Sequence, residues 1–136
     1  MTIYVLDSSA LLRFTDDEAG SDRVRSILRA CVSGQAGILL SAEQWGEIAG
    51  ILRKRLGPTD ARRILNGLLP EEAGVVSADR ERAVHAAEIR VDRKIGYAEA
   101  FALDLAMESG DHVLVTADYG FKAVADLAAI EFLSVK

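Results

Sequence analysis

The sequence is short of the residues that several common kinds of site require. Cys31 is the only cysteine, which excludes an intramolecular disulfide and any zinc site built on several thiolates. Its place among Ile27, Leu28 and Val32 points to core packing. The two histidines, His85 and His112, fall in a predicted helix and at a predicted strand start, and neither has a partner of the triad type. No apolar run approaches the length that spans a membrane. The N-terminus carries neither a basic leader nor a cleavable apolar stretch, so a cytoplasmic protein is expected. Positive charge is also in deficit: 16 basic against 21 acidic residues give a net charge of −5. The chain is therefore not a general polyanion binder, and any contact with nucleic acid has to come from local arginine clusters or a bound cation.

What remains is ordinary for a globular protein, with half the residues hydrophobic and 27% charged. There is no internal repeat, low-complexity tract or linker, so 136 residues are expected to form one domain, 1–136. Ile3 to Leu6 is a short β-forming run that stops at Asp7, and Ser8 and Ser9 are placed to cap a short helix carrying Ala10, Leu11, Leu12 and Phe14. Ser21 is expected to cap a second helix, ended by Gly34 and Gly37. Ile38-Leu39-Leu40 is the second predicted strand. Ser41 with Gln44 reads as a capping box that starts a helix carrying Trp45, Ile48, Leu52 and Leu56. Gly57-Pro58 breaks it, and Thr59 is expected to cap the next. A weaker strand follows from Gly74 to Ser77. Asp79 opens a helix with Ala83, Ala87 and Val91 on its apolar side, and Gly96 turns into another with Phe101 and Leu105 inward. His112 to Thr116 is a strong strand, followed by a turn at Asp118 and a last strand from Ile130 to Leu133. Strands alternating with helices, and no tight hairpin, predict an α/β fold of three layers, α/β/α, with a mostly parallel central sheet.

Four acids stand where such a fold collects chemistry. Asp7 and Asp118 each lie just past the end of an apolar strand, and parallel strands put such positions on one edge. Glu47 lies in the second turn of the Ser41 helix, and Glu99 in the first turn of the helix after Gly96. Carboxylates converging without a counter-ion repel one another. A hard divalent cation, Mg²⁺ or Mn²⁺, resolves that, and no His or Cys cluster competes for it. Such an ion activates water and stabilises charge on a phosphoryl group, which points to phosphodiester hydrolysis. Each acid also has a plain structural use: an Asp after a strand caps or makes an Asx-turn, and an early helical Glu complements the helix dipole. Glu43 and Glu47 share one helix face, and spacing alone does not choose between them.

Taken together, these stretches resemble the PIN-domain ribonucleases of the VapC type, the toxin halves of toxin–antitoxin pairs. Val5-Leu6-Asp7-Ser8-Ser9 is similar to the family's opening motif. Leu40-Ser41-Ala42 followed by Glu47 is similar to the second, which favours Glu47 over Glu43. Tyr97-Ala98-Glu99-Ala100-Phe101 is similar to the third, and Leu114-Val115-Thr116-Ala117-Asp118 with Phe121 to the fourth. The likeness spans the whole chain, and its strength lies in four motifs in order at family-like spacing. It implies metal binding and catalysis by Asp7, Glu47, Glu99 and Asp118, with Ser9 and Thr116 supporting them. It also implies Mg²⁺- or Mn²⁺-dependent cleavage of RNA, often in a tRNA or rRNA, along with homodimerisation and inhibition by a cognate VapB-like antitoxin. One residue departs from the pattern: the third motif usually carries Asp where this chain has Glu99. Asp104, five residues on, falls about 140° around the helix and is not a substitute.

Arg53-Lys54-Arg55 and Arg62-Arg63 flank the Gly57-Pro58 turn. Arg53, Arg55, Arg62 and Arg63 are candidates for RNA contact, against the plainer reading of a solvated helix face. Arg90, Arg93 and Lys94 form a second cluster just before Glu99. Trp45 and the apolar helices between Ser21 and Leu68 offer either core or a groove for an antitoxin segment or a second copy. Tyr97 and Tyr119 flank proposed ligands and either stack on a base or cap the core. Two other functions fit parts of the pattern. One is a PIN-like module weakened as an enzyme by Glu99 and retained for binding. The other is a receiver-type phosphoacceptor domain, which ranks far behind because Asp7 is followed by Ser8-Ser9 and the only late lysine at the chain's end is Lys136.

Overall fold

The computed structural model describes residues 1–136. Five strands form one sheet: β1 (Ile3–Leu6), β2 (Gly37–Ser41), β3 (Gly74–Val76), β4 (His112–Thr116) and β5 (Ala129–Phe132). Their order is β3-β2-β1-β4-β5 and every neighbouring pair is parallel. Between β1 and β2 run α1 (Ser8–Thr15) and α2 (Ser21–Val32), and between β2 and β3 run α3 (Ala42–Leu56) and α4 (Pro58–Leu68). The chain then carries α5 (Arg80–Arg93) and α6 (Tyr97–Ala106) back across the sheet to β4, and a short 3₁₀ helix, Tyr119–Val124, leads to β5. The order of strands thus reverses between β1 and β4. In open parallel sheets that is where a crevice forms at the carboxyl ends of the strands.

Strand alternation divides the core in two. Leu6, Ile38, Leu40 and Val115 face one side, where they pack with Leu11, Val24, Ile27, Ile48, Leu52, Ala61 and Leu68 from the first four helices. Val5 and Leu114 face the other, against Ala86, Ile89, Phe101 and Leu105 from α5 and α6. Because both faces of β1 and β4 are covered, consecutive residues such as Val5-Leu6 and Val113-Leu114-Val115 are apolar. Cys31 is buried in the first cluster, as its neighbours predict, and burial pushes its thiol up.

The predicted caps differ in detail. Asp7, not Ser8 or Ser9, holds the N-cap position of α1, and its side chain does not cap the helix. Gly20 precedes α2 with φ +95°, while Ser21 is the first helical residue and donates its hydroxyl to Asp17. Gly57 precedes α4 and Pro58 takes its first turn, so Thr59 is already inside. Ser41 does cap α3, accepting from the Gln44 amide at 3.1 Å, and Asp79 caps α5. The Gln44 side chain does not complete the predicted box; it turns into the site described below. Gly34, at φ +78°, follows the end of α2, whereas Gly37 opens β2. The apolar side of α5 is also rotated from the prediction. Ala86 and Ile89 are buried and Val91 is 73% exposed, because the helix turns Arg82 and His85 toward buried Asp104 of α6.

Candidate active site

The register that pairs Leu6 with Val115 brings Asp7 alongside Thr116. The Asp7 amide continues the ladder by donating to the Val115 carbonyl at 3.0 Å. Asp7 is 3% exposed, and two hydroxyls serve its Oδ2: Thr116 donates at 2.8 Å and Ser9 at 2.5 Å. Each hydroxyl has its own fixed donor behind it. The Ala117 amide donates to Ser9 Oγ and the Asp118 amide to Thr116 Oγ1, both at 2.9 Å. With their single protons committed to Asp7, the two hydroxyls touch at 3.1 Å without a bond between them. Ser9 and Thr116 therefore hold the Asp7 carboxylate in place.

Sequence reasoning gave Gln44 only a capping role, and the structure gives it more. It is 1% exposed. Its Oε1 accepts from the Ser8 amide at the start of α1, and its Nε2 donates to the Ala98 carbonyl in the first turn of α6 at 2.9 Å. It also stands close enough to Asp7 to hold that carboxyl down. One amide thus ties together α1, α3, α6 and the first acid. The signal was present: Gln44, Ile48 and Leu52 form one buried face at helical spacing, and Gln44 is its polar member.

Burial raises the Asp7 carboxyl above the ordinary range. Hydrogen bonds from Ser9, Thr116 and Gln44 oppose that, and the nearby charge of Glu99 adds to it. Glu99 is half-buried, in the first turn of α6. Asp118 is exposed, with Oδ1 accepting from the Gly120 amide at 2.9 Å, so it caps the 3₁₀ helix while presenting a carboxylate. Glu99 and Asp118 line one cavity of about 200 Å³ together with Lys94, Gly96 and Phe121. Glu47 is exposed on α3 and accepts from Ser8 Oγ at 2.8 Å. Glu43, one turn earlier, has a buried Oε2 without a partner.

The sequence-predicted acids therefore gather around the carboxyl ends of β1 and β4, with Asp7 innermost. In their present conformations no three acidic, histidine or cysteine side chains close on one point. The donor set is oxygen only, which suits a hard divalent cation once the carboxylates turn inward. The electrostatics agree, since a cation beside Asp7 offsets both the burial of its charge and its repulsion by Glu99.

The basic residues fall in two separate places. Arg53 and Arg55 stand near the far end of α3, about 16 Å or more along its axis from the helix start. Arg55 pairs with Asp16 at 2.9 Å and Arg63 with Asp60 at 3.4 Å, while Arg53 and Arg62 flank a separate cavity between α3 and α4. It is the second cluster that borders the acids. Lys94 lines the Glu99–Asp118 cavity and Arg90 lies over the Tyr97 ring at 5.7 Å, although Arg93 is held by Asp126 at 2.7 Å. Tyr119 is tied to the Leu133 carbonyl and packs edge-on against Phe132, so it closes the core. Tyr97 is 43% exposed and stacks on Phe101.

The fold recurs in solved structures. VapBC2 from Rickettsia felis, bound to a DNA fragment from its promoter, matches with a TM-score of 0.75 at 15% identity, over 98% of this chain and 100% of that one. DNA-bound VapBC from Salmonella typhimurium matches at 0.70 and 18% identity, over 97% and 98%. VapC20 of Mycobacterium tuberculosis, a toxin that cleaves the sarcin–ricin loop, matches at 0.68 and 18% identity, over 90% and 95%. No curated protein sequence matches the chain. The sequence model of the PIN domain matches residues 4–127. By that match, and with its acids at the reversal of a five-stranded parallel sheet, the chain belongs to the PIN-domain family.

Proposed function

We propose that this chain is a metal-dependent endoribonuclease of the VapC kind, which hydrolyses RNA phosphodiester bonds and is neutralised by a cognate VapB-like antitoxin. The observation that carries the reading is that Asp7 and Asp118 follow the neighbouring parallel strands β1 and β4 where the sheet order reverses, with Glu99 near enough to Asp7 to push its carboxyl up. Asp7, Glu47, Glu99 and Asp118 would hold Mg²⁺ or Mn²⁺, which supplies Lewis acidity toward water and the phosphoryl group. The protein's own part is positioning. Ser9, Thr116 and Gln44 fix the innermost carboxylate so that little reorganisation is left for the reaction. Lys94 at the cavity edge suits an RNA phosphate. No side chain is placed as a covalent nucleophile, so water attacks the phosphorus in line and leaves a 5′-phosphate and a 3′-hydroxyl. A structured ribosomal or transfer RNA is the favoured substrate, in keeping with the sarcin–ricin loop cleavage of the Mycobacterium tuberculosis relative.

The antitoxin is assigned to an apolar groove of about 420 Å³ lined by Phe14, Leu28, Val32 and Leu68, with Arg25 and Arg29 at its rim. A segment with apolar residues on one side and acids beside them matches that lining. Several structural relatives are VapBC complexes, and the dimeric state is taken from the same resemblance.

Purified protein incubated with total RNA should produce discrete 5′-phosphate ends only when Mg²⁺ or Mn²⁺ is supplied, and Asp7→Asn should abolish them while leaving the circular dichroism unchanged. Undiminished cleavage by that variant, or cleavage that ignores chelators, would overturn the assignment. Glu99 in the third motif favours a second reading, a PIN-fold binding module without activity. Saturable Mn²⁺ binding with no cleavage of any RNA offered selects it.

A further inference from the structure

Gly96 is the N-cap residue of α6, and no side chain hydrogen-bonds to cap that helix from this position. Its backbone, at φ −67° and ψ 157°, is open to any residue, so the conformation does not call for glycine. The space does. A Cβ added at 96 would stand 2.9 Å from the Glu99 carboxyl carbon and closer still to Oε2, a separation that real Cβ atoms essentially never show. The place of the missing side chain is taken by the Glu99 carboxylate.

The chemistry of a helix start explains why the carboxylate goes there. Glu99 is the third residue of α6, the position from which a glutamate reaches back toward the N-cap. The first turn presents unpaired N–H groups and the positive end of the helix dipole. On the other side stands Asp7, whose charge repels Glu99. In the absence of a cation both effects draw Glu99 back onto its own helix. An aspartate at 99 is one methylene shorter and does not extend as far toward residue 96. The atoms that an added Cβ would meet are all in the carboxyl group of Glu99, the flexible end of its side chain, and Glu99 and Asp118 line one cavity. The carboxylate can therefore leave by side-chain rotation with the backbone fixed.

We infer that Gly96 is a positioning residue: it provides a recess in which Glu99 rests while the site holds no cation, and from which the carboxylate turns toward Asp7 and Asp118 when a cation enters. The inference rests on the metal-dependent reading above and says how this chain accommodates the longer acid. The recess holds the third ligand back, so filling it should ease loading.

The test is a double-mutant cycle on the metal-free chain, residues 1–136, read as Mn²⁺ affinity by calorimetry and checked by thermal melts. Gly96→Ser puts a Cβ into the recess and offers a hydroxyl to cap α6 in place of Glu99. It should tighten Mn²⁺ binding about threefold or more in the parent and leave it unchanged in a Glu99→Asp background. If Gly96→Ser does not fold, Gly96→Ala fills the same recess without the hydroxyl and carries the same expectation. An unchanged or weakened affinity, or an equal shift in both backgrounds, would overturn the recess and leave the metal site standing. A parent chain that does not bind Mn²⁺ at all would remove the metal-dependent reading and the recess with it.

Discussion

Replacing Gln44 with leucine tests whether one buried amide organises the site. The side chains are close in volume, so no cavity opens, but two hydrogen bonds go, those with the Ser8 amide and the Ala98 carbonyl, and with them the polar neighbour of Asp7. Removing them leaves the Ser8 amide and the Ala98 carbonyl unpaired, at about 2 kcal/mol each. Leucine returns about 1 kcal/mol of apolar burial. The net loss is about 3 kcal/mol, against a total of roughly 5–15 for a domain, and lowers the melting temperature by about 10 °C. Loss of the Gln44 amide beside Asp7 also pushes that carboxyl further up, so Mn²⁺ affinity near neutral pH falls in the same variant. Urea titration followed by calorimetry reads both. A loss under about 1 kcal/mol with unaltered Mn²⁺ affinity would show that Gln44 is not the tie between Asp7 and α6.

Asp7→Asn should melt higher than the parent at pH 7 in chelator. The Asp7 carboxyl lies above its unfolded value, so the folded chain holds the proton longer and loses stability as pH rises through that interval; the advantage of Asn should vanish on acidification, and a parent that melts higher at pH 7 refutes it. Lys94 sits at φ +56°, in the left-handed region, so Lys94→Gly should stabilise the chain by about 1 kcal/mol while weakening RNA binding; a filter-binding assay showing unaltered affinity would remove its phosphate role. Reversing Arg62 and Arg63 to Glu should leave cleavage of a short oligonucleotide nearly unchanged and affect only long RNA, where the slope of log affinity against log salt should fall by about 1 to 2 if both touch phosphates. An unaltered slope on long RNA discards that corner as an RNA surface.

Most of the fold was legible because β1 and β4 are covered on both faces and so carry apolar residues on both sides, with an acid just past the end of each. Helix starts were less legible. Ser8, Ser21 and Thr59 are all good capping residues, but the first two spend their hydroxyls on Glu47 and Asp17, and Pro58 starts α4 one residue before Thr59. The apolar side of α5 was misread for a tertiary reason. Arg82 and His85 reach Asp104 at 2.9 and 2.7 Å, and this polar contact turns Val91 to solvent. The same contact shows Asp104 fastening α5 to α6, in line with its predicted position away from Glu99.

The departure at Glu99 shows what a motif read one residue at a time omits. Taken alone, a glutamate for an aspartate is a displaced ligand. Three residues earlier on the same helix, the side chain that would collide with it is missing, and positions three apart on a helix are neighbours. The two features are then one adaptation, and it has a consequence beyond this chain. Relatives with Glu at the position of Glu99 should carry Gly at the position of Gly96, whereas those with Asp are free to place a capping Ser or Thr there. A Glu-bearing relative with a branched residue at that N-cap and undiminished Mn²⁺ affinity would show that the carboxylate needs no recess.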